Sequence, residues 1–222
     1  MKMTKLTGRA IAALFIVVMV ASAFPAAALG SQGTTPIYLA RASAVPGVIN
    51  VAGTGNDVTG DGTSANPYRT IQKGIDMASG GDTVLVAAGT YQENLDFKGK
   101  AITVKSAGGA ENTTIDGGQA GSVVRFVSGE TAAAVLDGFT LTNGSGTYVN
   151  QIQPFGGGVY SYNGSNPTII NCIITGNTAD TGGGVSAWYA SATIVNSVIR
   201  GNTASGGGGG VTVVNSIIAG NS

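Results

Sequence analysis

The sequence predicts an all-β protein, a single-stranded right-handed parallel β-helix (a solenoid) with an N-terminal capping helix. Three observations predict it. The C-terminal third is built from short segments that return at regular intervals. The repeats hold only brief β-branched runs, each ended by glycine or asparagine. Glycine supplies 37 of 222 residues and charged residues only 10%, while apolar residues supply 43%, too many for a disordered chain.

Gly156-Gly157-Gly158-Val159 returns as Gly182-Gly183-Gly184-Val185 and as Gly208-Gly209-Gly210-Val211, both in steps of 26. The segment from Ile169 to Asn177 returns from Ile194 to Asn202 and from Val213 to Asn221, in steps of 25 and 19. Repeats of this length mark solenoids. The β-branched runs within them are too short for helices. Two or three such strands, bent at Gly and Asn, make one coil, and parallel crossovers of this kind are right-handed.

Asparagine tolerates the left-handed bend better than other non-glycine residues. Asn171, Asn196 and Asn215 are therefore placed at one bend, and Asn177, Asn202 and Asn221 at the next. Stacked amides at these bends form internal ladders. The triple glycines fit a third bend, where backbone passes close to backbone. Cys172 joins Ile and Val inside. Earlier candidate strands are Val84–Val86, Ile102–Val104, Val123–Val124 and Phe139–Leu141, with Asp116-Gly117 and Asp137-Gly138 at bends. Residues 145–155 are expected to form an inserted loop.

Residues 50–82 are expected to cap the N-terminal end. Their helix, 70–79, shares a face through Ile71, Ile75 and Ala78 and can be capped by Thr70. The β-helix then runs from 83 to 222. It stops at Asn221-Ser222, at a bend that in both earlier repeats precedes another glycine cluster. This predicts a solenoid truncated at its C-terminus. An uncovered last coil, with Val213, Val214, Ile217 and Ile218, predicts end-to-end self-association.

Residues 1–28 have the form of a secretory signal peptide. Lys2, Lys5 and Arg9 make the n-region, Ile11–Val20 the apolar h-region, and Ala26-Ala27-Ala28 a cleavage site. The apolar core is short for a membrane span, so no span is expected after cleavage. A Ser/Ala/Pro-rich lead-in follows at 29–49. Without the signal peptide, eight basic residues face eleven acidic ones, which does not favour a nucleic-acid partner. One cysteine excludes an intramolecular disulfide, and the absence of histidine removes the commonest general base and metal ligand.

The run from Gly60 to Gly117 (GDGTSANPYRTIQKGIDMASGGDTVLVAAGTYQENLDFKGKAITVKS, then TTIDGG) resembles the N-terminal portion of exported right-handed β-helix proteins of the pectin-lyase-like superfamily. Ile174-Thr175-Gly176-Asn177 with Gly182-Gly183-Gly184, and Ile199-Arg200-Gly201-Asn202 with Gly208-Gly209-Gly210, resemble polymorphic outer-membrane-protein repeats. The resemblance implies the fold and export to the cell surface or medium. It leaves activity open, because the fold hosts lyases, hydrolases, esterases, epimerases and adhesins.

Gly89-Thr90-Tyr91-Gln92-Glu93 is similar to an early strand motif of pectin methylesterases. Those enzymes also need an aspartate pair with a glutamine and an arginine, in motifs absent here. Polygalacturonases need a histidine. Lyase chemistry uses carboxylate-bound Ca²⁺ and a basic residue. Asp96, Asp116 and Asp137 recur at steps of 20 and 21, and Lys105 and Arg125 lie 20 apart. With coils of that length, each set stacks on one face. The weightier reading keeps Asp116 and Asp137, each followed by glycine, as bend residues and the basic residues as solvent-facing strand positions. Asp57, Thr59, Asp61 and Gly62 match the start of a calcium loop, but Tyr68 stands where its closing Glu belongs. Trp188 and Tyr189, with Tyr160 and Tyr162 one coil earlier, are the candidate sugar-binding aromatics.

The expectation is a non-catalytic secreted or cell-surface protein in adhesion, envelope structure or glycan binding. Its partners would be polysaccharide or cell-envelope components. It has no assigned catalytic residue and no cofactor. The alternative is a Ca²⁺-dependent lyase acting on acidic polysaccharide.

Overall fold

The computed structural model describes residues 46–149, 153–206 and 211–222. The expected signal peptide, most of the lead-in and the third glycine cluster at 208–210 lie outside these residues. The chain lays down β1 (Val48–Val51) and α1 (Ile71–Met77) and then winds. One coil gives β2 (Thr83–Val86), β3 (Gly89–Gln92) and β4 (Leu95–Asp96). The next gives β5 (Thr103–Ser106), β6 (Thr113–Asp116) and β7 (Val124–Phe126). The third gives β8 (Val135–Asp137), β9 (Thr140–Thr142), β10 (Thr147–Val149), β11 (Gln153–Phe155) and β12 (Val159–Tyr162). The fourth gives β13 (Thr168–Ile170), β14 (Ile173–Thr175), β15 (Thr178–Thr181) and β16 (Val185–Trp188). Then come β17 (Ala192–Val195), β18 (Val198–Arg200) and β19 (Thr203–Gly206), and last β20 (Val211–Val214) and β21 (Ile217–Ala219).

These strands stack into faces. The first runs β1-β2-β5-β8-β13-β17-β20, the second β3-β6-β9-β14-β18-β21, and the third β4-β7-β12-β16. A short fourth sheet runs β10-β11-β15-β19. The strands of the first three faces pair in parallel, and the protein is a right-handed parallel β-helix with one short helix.

Because strand side chains alternate, every second residue enters the interior and stacks on its equivalent one rung away. Val84, Val104, Leu136, Ile169 and Ile194 form one such column, in register and fully buried. Ile115, Leu141 and Ile174 form a second, and Leu95, Val124 and Val159 a third. Each such side chain contributes about 1.5–3 kcal/mol by leaving water. Cys172 is buried with them, its thiol pushed up to about 12 by burial.

The bends set the register. Asn171, Asn196 and Asn215 take left-handed φ values of 54°, 48° and 46°, each one residue past strands paired in step. In the preceding coil that place belongs to Gly138, φ 81°, and not to Asp137. Asp137 instead accepts the Asn171 amide at 2.7 Å. At the next bend the asparagines point inward. The Asn177 amide donates to Asn202 Oδ1 at 3.0 Å, and the Asn202 amide to Asn221 Oδ1 at 3.0 Å. Each acceptor oxygen also takes the backbone N–H of the asparagine before it. The Asn202 amide further reaches the Ile174 and Arg200 carbonyls.

The glycine clusters are needed for space. A Cβ on Gly157 would run into the backbone of Gly183 and Thr178, and one on Gly183 into the backbone of Thr203. The leading Gly156 and Gly182 also hold left-handed φ, 59° and 64°.

Three features depart from the sequence expectations. β1 forms the first rung already at Val48, inside the expected lead-in, because it pairs residue for residue with β2. The helix is shorter than 70–79: Thr70 stays outside as its N-cap, accepting Lys73 N–H at 3.2 Å, and Ala78 is already extended. Residues 145–155 contain an antiparallel hairpin, β10–β11, and β11 joins β15 in the fourth sheet.

Two substitutions test this architecture. Asn202→Ala leaves buried amide and carbonyl groups unpaired on two rungs, and should lower unfolding free energy by about 3 kcal/mol or more in denaturant titration. Gly183→Ala should cost at least about 2 kcal/mol by overpacking. Gly80→Ala, whose Cβ would meet nothing within 4 Å, should be close to neutral. Equal effects at Gly80 and Gly183 would refute the close-approach argument.

Candidate functional site

The sequence singles out three groups of polar or aromatic residues, and the fold treats them differently. The first surrounds the N-terminus of α1. Asp57 accepts Arg69 N–H at 2.7 Å, Thr70 N–H at 3.0 Å and the Thr70 hydroxyl at 2.8 Å. Glu93 accepts Ile71 N–H at 2.8 Å and Gln72 N–H at 2.9 Å. Two carboxylates from separate segments thus hold four consecutive backbone amides, three of them at the helix start that intrahelical bonding leaves orphaned. At the other end Lys100 Nζ donates to the Ile75, Asp76 and Ala78 carbonyls at 2.7–2.9 Å. Glu93, the last residue of the esterase-like motif, is therefore a structural clamp on the capping helix. That helix packs Ile71 and Ile75 on the first coil, and Gly74 lies directly against Val51 and Val84.

Asp61, in the calcium-loop match, accepts the N–H and hydroxyl of Thr63 at 2.9 and 2.7 Å. Of the loop's two carboxylates, Asp61 thus closes a turn of the loop itself, and Asp57 is taken up by the start of α1. Among the described residues no group of three or more His, Cys, Asp or Glu side chains is placed to hold a metal ion.

The second group is the aspartates and cations. They do not stack on one face. Asp96 lies on β4 of the third face, Asp116 on β6 of the second, and Asp137 on β8 of the first. The reason is coil length. Across the rung Asp96 faces Arg125 rather than Asp116, and Lys105 faces Asp137 rather than Arg125. Steps of 20 therefore move from face to face. What stacking does bring together is opposite charge: Arg125 Nε lies 3.1 Å from Asp96, and Lys105 Nζ 2.8 Å from Asp137. Asp116 accepts Gly118 N–H and the Asn143 amide. Among the described residues no face gathers three carboxylates beside a basic residue.

The third group does assemble. Tyr160 and Tyr162 lie on the outward side of β12, and Trp188 sits one rung from Tyr162 on β16. Phe155 stacks on Trp188 with ring centroids 4.9 Å apart and planes 9° apart. Trp188 also meets Tyr162 at 5.5 Å and Tyr189 at 5.4 Å, and Tyr160 lies 6.0 Å from Phe155 and 6.1 Å from Tyr162. The cluster grades from buried Tyr160 to Trp188 at 36% and Tyr189 at 76% exposure. Burial pushes the Tyr160 phenol up to about 12, with the neighbouring Tyr162 adding to it. Among the described residues its hydroxyl and that of Ser186, one rung away, are buried without a hydrogen-bond partner. Arg125 occupies the same outward column as Tyr160. Phe155 is not among the sequence candidates. It lies in the inserted segment, and nothing in the local pattern announces that the hairpin folds it onto Trp188.

A family of proteins of unknown function, DUF1565, matches residues 53–98, the stretch that contains α1, its carboxylate clamp and β2 to β4. No curated protein sequence matches the chain. Among solved structures the chain is similar to the deglycosylated pectin methylesterase of Aspergillus niger, at 18% identity and a TM-score of 0.52, over 80% of this chain and 58% of that one. It also matches the pectin methylesterase from carrot, at 20% identity and a TM-score of 0.46, over 82% of this chain and 65% of that one. The chain thus spans less than two thirds of the length of either enzyme. The likeness to the first is one of fold.

The clamp has a pH signature. Burial raises the Glu93 pKa above its ordinary value of 4.5, outweighing the two amide bonds that lower it, and the charge of Asp57 adds to the rise. Burial also pushes Asp57 up, but its bonds from Thr70 and Arg69 outweigh this and hold it below 3.8. A raised carboxylate binds its proton more tightly when folded, so stability falls as pH rises through 4.5 toward the folded pKa. A depressed one stabilises above 3.8, and that stabilisation is lost as pH falls further. Thermal unfolding should therefore show a maximum near pH 4–5. Glu93→Gln should abolish the decline above pH 4.5 and lower stability by about 1–3 kcal/mol, since its amide group turns a donor toward a backbone N–H.

Proposed function

We propose that this protein is a non-catalytic, exported β-helix protein, secreted or held at the cell surface, that binds glycan through the aromatic platform of its third face in adhesion or envelope structure. The observation that carries the reading is the platform itself. Trp188 meets both Tyr162 and Tyr189 on a face built from rigid parallel strands, with Trp188 and Tyr189 open to solvent. Aromatic rings in this arrangement offer large, stiff, amphipathic surface of the kind that binding sites use. The dispersal of Asp96, Asp116 and Asp137 over three faces supports a non-catalytic role. The reading of export rests on the n-region, h-region and Ala26-Ala27-Ala28 pattern.

The purified protein should retain polysaccharide in affinity electrophoresis, and Trp188→Ala should weaken retention by about tenfold or more, the loss of one well-placed aromatic contact. Polygalacturonate and alginate incubated with the protein should yield no unsaturated product, with or without Ca²⁺. Calcium-dependent product formation would overturn the reading in favour of a lyase.

A further inference from the structure

Tyr189 is held in a conformation that its side chain disfavours. Its φ is 49°, in the left-handed region, where a bulky residue is strained. One coil earlier the equivalent position, next to the Tyr162–Trp188 rung, is Asn163 at φ 58°. Asparagine suits that bend, and five of the other seven non-glycine residues at left-handed φ are asparagines, Asn143, Asn163, Asn171, Asn196 and Asn215, the remaining two being the unbranched Lys98 and Gln119. At this one bend of the aromatic face the chain carries a tyrosine instead. Its ring contributes little to the interior, being 76% exposed, yet it is fixed 5.4 Å from Trp188 at 36°. Strain at an exposed side chain that packing does not require points to a role outside the fold.

We infer that Tyr189 is a ligand-contacting residue that extends the Trp188–Tyr162 platform, and that the occupant is the uncharged face of a pyranose chain. The inference rests on the glycan-binding reading above and adds a residue and a ligand class to it. The charge on this face argues for the class. The rings carry no formal charge. The basic side chain in the adjoining column, Arg125, is already paired with Asp96 at 3.1 Å. The polar groups behind the rings, the Tyr160 and Ser186 hydroxyls, are buried and carry no charge. The Tyr160 phenol, pushed up to about 12, stays neutral across the ordinary pH range. A hydroxyl-rich, uncharged ring matches such a surface, and an anionic one finds no free cation among the residues of the platform.

The test pairs stability with binding. Wild type, Tyr189→Asn and Tyr189→Phe are compared by thermal unfolding and by titration with xylan and β-glucan oligosaccharides and with oligogalacturonate, at low and high salt. Relief of the bend should raise the Tm of Tyr189→Asn by about 2–4 °C, while its affinity for a neutral oligosaccharide falls about tenfold. Tyr189→Phe should keep both the wild-type Tm and most of the affinity. Binding of the neutral probe should change by less than about twofold with salt, because no charge pair forms. A Tyr189→Asn protein that binds as wild type does, or melts lower, overturns the role of Tyr189 and leaves glycan binding standing. Salt-sensitive binding confined to oligogalacturonate overturns the ligand class alone. Binding of none of the probes by wild type overturns the glycan reading and this inference together.

Discussion

The rung-to-rung hydrogen bond is the interaction on which everything else in this protein depends, and the buried amide ladder from Asn177 through Asn202 to Asn221 shows why. A parallel coil has no partner within itself. Its backbone groups are satisfied only by the coils on either side, and only in one register. A slip by one position would turn Ile169 and Ile194 outward and bring Ile170 and Val195 in, along with Thr168 and Thr193. The asparagine oxygens, each shared between an amide and a backbone N–H of the neighbouring rung, make that slip leave several buried groups unpaired. The left-handed bends at Asn171, Asn196 and Asn215 act on the same register from outside.

Once register is fixed, the interior and the exterior are free to serve different ends. The interior is a set of columns of Val, Leu and Ile whose first layer is closed by α1, itself held by Asp57 and Glu93 at one end and Lys100 at the other. The clamp is built from charged groups because the helix is only seven residues long, and its end groups outnumber its internal bonds. The outward positions carry no such obligation. They hold one ion pair on the first face, and a second ion pair together with the aromatic platform on the third.

How much of this is legible in the sequence follows from what repeats and what does not. The bends at Asn171, Asn196 and Asn177, Asn202 recur with their flanking strands, so composition and period are enough to place them. The close approach at Gly157 and Gly183 is legible for the same reason, since no other residue type recurs there. β1 is hidden because Val48–Val51 belongs to no repeat; it is a strand through its pairing with β2, a tertiary fact. The hairpin β10–β11 is hidden because Gln153-Pro154-Phe155 has little strand character of its own and is ordered by β10 and β15. Of the candidate site, Trp188, Tyr189, Tyr160 and Tyr162 are visible as aromatics in two successive coils, Tyr162 and Trp188 at matching places, whereas Phe155, which completes the stack, comes from the insertion.

The charged residues show how a spacing argument fails in a solenoid whose coils differ in length. Equal steps along the sequence mean a common face only if every coil has the length of the step. The coil from Thr83 to Thr103 does match it, but Thr103 pairs with Val135 and Val135 with Thr168, so the next two turns are more than half as long again. The near-equal steps among Asp96, Asp116 and Asp137 therefore walk around the helix from the third face to the second to the first. The rung, not the sequence step, decides which side chains meet. Each cation opposes the aspartate directly across the ladder, Arg125 over Asp96 and Lys105 under Asp137, where neighbouring strands bring the groups to 3.1 and 2.8 Å. Opposite charges on adjacent rungs relieve the repulsion that stacked like charges would impose. The same geometry that disperses the carboxylates thus gives both cations a structural task, and leaves the aromatic rings as the outward group that the stacking of coils does not explain.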